Sequence, residues 1–153
     1  MAVKIKEVEK EFLEYIKKMS AFHETLSLIF WDMRTGAPKK GVGQRSEVIG
    51  TLSTEIFNMS VSDKMAYFIK NLTSKEAENI ISQVTTKTIE HCKREYDRNK
   101  KIPSEEYKEY VILQAQAESM WEEAKQNSDF ETFRPYLEKL VEMTKRFIDY
   151  WGY

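Results

Sequence analysis

Glycine and proline set the first limit on this chain. Across 153 residues there are 5 glycines and 3 prolines, and three of the glycines and one proline fall within Gly36-Ala37-Pro38-Lys39-Lys40-Gly41-Val42-Gly43. A turn-rich β architecture needs far more punctuation than this. The chain reads instead as long helices with one hard corner. Pro38 cannot occupy a helix interior and pushes Ala37 towards extended geometry. Charged residues at 32% and apolar residues at 41% complete the picture of a charge-rich helical protein with one real core.

Periodicity then places the helices. Val8, Phe12, Tyr15, Met19, Phe22, Leu26 and Ile29 recur at three- and four-residue steps and predict a first helix over 3–31. The run Leu26, Leu28, Ile29, Phe30, Trp31 widens the apolar face, so the C-terminal end of this helix is expected to be buried more fully than its start. A second helix is expected over 43–58, with Val48 or Ile49, Leu52, Ile56 and Met59 inward. Ser62-Asp63 reads as the cap of a short helix over 64–71. Thr73 or Ser74 reads as the start of a long helix reaching about residue 100. Ser104 is expected to cap a helix ending near Gln126, and a final helix takes Pro135 in or near its first turn. The expected fold is all-α: an antiparallel bundle of five or six helices forming a single helical domain over residues 1–153.

At the corner, Trp31 is expected to plug into the core, so that its truncation to alanine would cost about 3–5 kcal/mol. Asp32 is placed to accept backbone N–H groups or to pair with Arg34 or Arg45. Elsewhere, little carries chemistry. His23-Glu24-Thr25-Leu26-Ser27 begins like His-Glu-x-x-His, yet Ser27 stands where the second imidazole would be needed for zinc. His91 and Cys92 are adjacent, so on a helix they point apart. Glu118 and Glu122 lie four apart and read as a solvated acidic face. No catalytic residue and no metal ligand set is expected.

Charge and cysteine narrow the setting. A net charge of −1 offers no basic footprint for nucleic acid. No apolar run approaches the ~20 residues that span a bilayer, and the N-terminus carries no leader-like apolar segment. One cysteine fits a reducing compartment. The expected location is cytoplasmic, with no membrane partner.

Several motifs in order identify a likeness. Trp31, Asp32, Thr35, Pro38 and Arg45, followed by Leu52 and Ser53, form the first. Lys101-Ile102-Pro103 and Trp121-Glu122-Glu123-Ala124 follow, then Asp129-Phe130-x-x-Phe133-x-Pro135-Tyr136-Leu137 and Phe147-Ile148-x-Tyr150-Trp151-Gly152-Tyr153. This series resembles the N-terminal region of the carboxypeptidase Taq family of zinc metallocarboxypeptidases. The resemblance covers nearly the whole chain but only the front part of the family. It implies an all-α enzyme that removes residues from peptide C-termini, with zinc or cobalt held downstream of anything present here. It further implies that these helices cover one side of the substrate cleft and that the chain, lacking the His-Glu-x-x-His helix, is inactive by itself. Trp31, Asp32, Arg34, Thr35, Pro38 and Arg45 are then the corner or cleft residues, with Arg34 or Arg45 available to a peptide carboxylate. A peptide substrate is expected only in the full-length enzyme. The competing reading is a self-standing helical interaction module without catalysis. The aromatic ending Tyr150-Trp151-Gly152-Tyr153 leads to the further expectation of a two-fold homodimer through the last helix.

Overall fold

A computed structural model describes residues 2–153, and among these the secondary structure is helical without strands. Six α-helices follow in order: α1 (Ala2–Thr35), α2 (Val42–Ser60), α3 (Asp63–Leu72), α4 (Gln83–Asn99), α5 (Ser104–Asn127) and α6 (Phe130–Trp151). A single 3-10 turn at Lys39–Gly41 precedes α2. No helix among the described residues is long and apolar enough to cross a membrane. The internal contacts divide the chain into two compact units. One comprises the stretch up to His23 with Ile56–Lys100, the other Glu24–Glu55 with Lys101–Tyr153.

The first unit is built on large side chains. Ile5, Val8 and Phe12 of α1 pack with Met65, Phe68 and Leu72 of α3, and with Ala77 and Ile89. Phe12 and Phe68 are fully buried and meet edge-on, with centroids 5.5 Å apart. Their spacing along each helix follows the heptad-like steps expected of an inward stripe. Ser62 caps α3 by accepting from the Met65 N–H at 3.0 Å, as expected for a serine ahead of an amphipathic run. The Tyr15 hydroxyl reaches Ser62 Oγ at 3.0 Å and the Met59 carbonyl at 3.1 Å.

The long helix expected from residue 73 or 74 does not form. Residues 73–81 fold as turns, and α4 begins only at Gln83. Two effects win over helix propensity. The turns place Ala77 wholly in the core, with Ile80 and Ile81 against it. In addition, the Glu9 carboxylate accepts the Ser82 N–H at 2.8 Å and the Thr85 hydroxyl at 2.7 Å, which defines a helix start at Ser82. Ser82 itself caps by accepting from the Thr85 N–H at 3.0 Å. Glu9 is buried, and burial alone would raise its pKa. The Lys6 ammonium at 2.8 Å, the Ser82 N–H and the Thr85 hydroxyl outweigh that and hold the carboxyl at about 2.

In the second unit small residues do much of the packing. Ser46, Ile49, Gly50 and Ser53 recur at steps of three and four and form the buried face of α2. A Cβ at Gly50 would collide with the Ile112 side chain of α5, so hydrogen at this position is what lets α2 approach α5. Of the two residues proposed for the first position of this stripe, Ile49 is buried and Val48 is exposed. Ala115, Ala117 and Ala124 are the buried residues of α5. The α5 start is one residue earlier than expected: Pro103 occupies the cap position without a side-chain bond, and Ser104 is already helical. Helix α6 packs on α5, with Tyr110 and Phe147 edge-on at 5.2 Å. Asp129 caps α6, accepting from the Thr132 N–H at 3.3 Å, so Pro135 lies inside the helix, just past its first turn. Gly152 ends α6 at φ 91°, a left-handed angle that favours glycine, and its N–H reaches the Ile148 and Asp149 carbonyls.

Candidate functional site

The corner between α1 and α2 lies within the second unit, and helix α1 runs four residues further into it than its periodicity indicates. The Asp32 carbonyl accepts both the Gly36 N–H at 3.0 Å and the Ala37 N–H at 2.9 Å, which closes the last turn. The Thr35 hydroxyl donates to the Trp31 carbonyl at 2.7 Å. Pro38 is extended, at φ −65° and ψ 139°, and starts the 3-10 turn by accepting the Gly41 N–H at 2.7 Å. That turn delivers the chain into α2 at Val42.

Among the alternatives open for Asp32, the geometry selects Arg45: the Arg45 Nε donates to Asp32 Oδ2 at 2.6 Å. Arg34 goes elsewhere. Its guanidinium pairs with Glu118 of α5, while Lys39 lies 3.5 Å from Glu123 of the same helix. Two cations of the corner therefore meet two carboxylates of α5, neither of which sequence reasoning singled out as a partner. Charge alone, with 25 acidic residues in the chain, gave no signal that would have chosen them. Reading Glu118 as part of a solvated face missed its ion pair. These pairs are exposed, and each contributes on the order of 0–1 kcal/mol; they orient the corner more than they hold it.

Trp31 contradicts its expectation. It is 71% exposed, and Leu28 one turn before it is 66% exposed. The inward positions are Leu26, which is buried, with Ile29, Phe30 and Met33 half-buried. The five-residue apolar run cannot all face one way on a helix, because each step turns the side chain by about 100°. Leu28 and Trp31 are the pair left outside. The end of α1 is thus not buried more fully than its start, where Ile5, Val8 and Phe12 are all buried.

Beside the corner lies a cleft of about 420 Å³ whose walls include Met33, Val42, Met120 and Tyr136 with Lys39 and Glu123 at its polar side. The corner residues bring together cations, carboxylates and an apolar recess. They bring together no nucleophile with a base. Nor do they fit a catalytic metal: among the described residues no three His, Cys, Asp or Glu side chains converge on a point. His23 and His91 lie exposed on α1 and α4. Cys92 packs against the core of the first unit, and burial pushes its thiol up.

Comparison with known proteins gives this geometry a context. Residues 11–153 match the family model described as Carboxypeptidase Taq (M32) metallopeptidase. The chain is 54% identical over 145 residues to Carboxypeptidase 1 of Bacillus subtilis, covering 95% of this chain and 28% of that protein. It is 26% identical to Thermostable carboxypeptidase 1 of Pyrococcus furiosus, over 96% of this chain and 29% of that one. Among solved structures, the BsuCP crystal structure superimposes with a TM-score of 0.91 at 53% identity, again over 96% of this chain and 29% of the other. The chain spans less than a third of the length of these relatives, and what it matches is the N-terminal part of their fold.

Proposed function

The chain belongs to the Carboxypeptidase Taq (M32) metallopeptidase family, and from that premise we propose that it serves as the N-terminal helical part of a metal-dependent enzyme that releases C-terminal amino acids from peptides. In this reading its helices cover one side of the substrate cleft. The observation that carries it is the superposition with a TM-score of 0.91 on 29% of a much longer relative. The chain has the shape of one portion of that fold, and among its described residues no metal-ligating set converges.

The role of this portion is to shape and bind. Arg34 and Lys39 are held towards α5 by Glu118 and Glu123, and Arg45 is fixed by Asp32. A peptide carboxylate arriving here competes with these existing pairs, with Arg34 the more accessible of the two arginines. In the whole enzyme a bound zinc or cobalt would polarise the scissile carbonyl and activate a water. Its ligands belong to the part of the fold this chain does not contain, and the chain by itself is inactive. The single cysteine accords with a reducing compartment such as the cytoplasm.

Two measurements test the reading. The purified 153-residue chain, incubated with a blocked dipeptide and either zinc or cobalt, should show no turnover above buffer. A chimera carrying this chain in place of the matched segment of the Bacillus subtilis enzyme should release C-terminal residues. Chelator-resistant turnover by the isolated chain, or a folded but inactive chimera, would overturn the proposal.

A further inference from the structure

Helix α6 carries more apolar surface than its position requires. At about 100° per residue, Tyr136, Leu140, Met143, Phe147 and Tyr150 define one side of the helix; all are buried or half-buried, and half-buried Phe133, Thr144 and Trp151 lie beside them. Phe130, Leu137, Val141 and Ile148 define another. They sit within about 40° of one another along the whole length of the helix, and each is between 37% and 54% exposed. Together the two sides make an apolar arc of about 180°, against the ≳100° a surface helix needs to face a core. The opposite half is charged apart from Pro135, with Glu138, Lys139, Glu142 and Arg146 exposed.

Scattered exposed apolar residues are ordinary; an aligned stripe over five turns is not. Packing on α5 accounts for the buried side only. Resting on the reading above, we propose that the stripe Phe130, Leu137, Val141, Ile148 is the seat of an apolar helix from the remaining, C-terminal part of the metallocarboxypeptidase fold. The size of what is missing argues for that occupant. Each relative extends over more than three times the length this chain matches, so most of the family fold lies outside these residues and must meet them somewhere. A stripe running the full length of α6 provides a seam long enough to hold a helix. Of the two cations at its rim, Arg134 is paired with Glu131 of its own helix, while exposed Lys145 favours an acidic residue at the edge of the incoming helix.

The test compares one pair of substitutions in two settings. Leu137→Glu with Val141→Glu in the isolated 153-residue chain changes two exposed positions, and its melting temperature should move by no more than about 1 °C. In the chimera with the Bacillus subtilis enzyme, the same pair should lower the melting temperature by more than about 5 °C or prevent folding. Hydroxyl-radical footprinting of the unsubstituted proteins gives an answer independent of any variant: Phe130, Leu137 and Val141 should be labelled in the isolated chain and protected in the chimera. Equal labelling in both would overturn the proposal, as would a chimera indifferent to the substitutions. Protection already present in the isolated chain, with sedimentation showing a dimer that the glutamates dissolve, would assign the stripe to a second copy and equally overturn it. Neither readout uses catalysis, so an inactive chimera with a protected stripe would reject the functional reading while leaving this one standing.

Discussion

The two units are folded by different means. The first closes around large side chains, with Phe12, Phe68, Met65 and Ile89 wholly buried, and its buried carboxylate, Glu9, has three donors. The second relies on Ser46, Gly50, Ser53 and the alanines of α5 for close approach. It leaves Leu28, Trp31, Trp121, Phe130, Leu137, Val141 and Ile148 in water. The first exposes fewer, among them Val3, Leu13, Tyr67 and Val84. The second keeps more large apolar side chains at its surface.

The contrast can be broken most severely at Phe68. Phe68→Ala should destabilise the chain by about 3–5 kcal/mol, seen as a large drop in urea midpoint; a small drop would mean that the first unit is not the organised one. Glu9→Ala comes next. It removes the acceptor for the Ser82 N–H and the Thr85 hydroxyl, and a buried donor without a partner costs about 1–3 kcal/mol. The acid branch checks the same group: its pKa is lowered from 4.5 to about 2 on folding. Its contribution is therefore present above pH 4.5 and is lost as pH falls towards 2. A stability profile in which Glu9→Gln shows the same slope as the parent between those values would contradict it. Gly50→Ala sharpens the account of the second unit. Helix propensity alone would favour alanine by about 1 kcal/mol, yet the collision with Ile112 should reverse the sign to a net loss of about 1 kcal/mol. Ile112→Ala in the same chain should remove that penalty. The smallest effect is expected at Trp31, where alanine should change stability by less than about 0.5 kcal/mol because the ring is exposed.

Much of the fold was legible because it repeats. The stripe from Val8 to Ile29 is one face of α1, and Ser62 caps α3 where a serine before an apolar run should. What failed was decided at a distance. Nothing local to residues 73–82 says that Glu9 will take the Ser82 N–H, or that Ala77 will be wanted in a core made by α1 and α3. Trp31 failed for a different reason: a large aromatic beside a turn was assumed to be inside, although the helical step from Leu26 already placed it with Leu28 on the other side. At the corner, Asp32 with Arg45 was among the readings open from sequence. Arg34 with Glu118 was not, since the partners are 84 residues apart and charge alone does not choose among 25 acidic residues.

The Glu9 clasp has a consequence for how the chain reaches its native state. The Ser82 N–H and the Thr85 hydroxyl lie 73 and 76 residues from the carboxylate they bind. The start of α4 is thus completed only when a loop of that length has closed, at an entropic cost that local helix formation elsewhere in the chain does not carry. On a ribosome, Glu9 emerges first and must wait, as a charged group on a bare amphipathic helix, for some seventy residues to be made before its partners exist. The start of α3 is capped locally, Ser62 accepting from the Met65 N–H three residues on; the first turn of α4 belongs to the non-local, late class of contacts that raises contact order and slows folding.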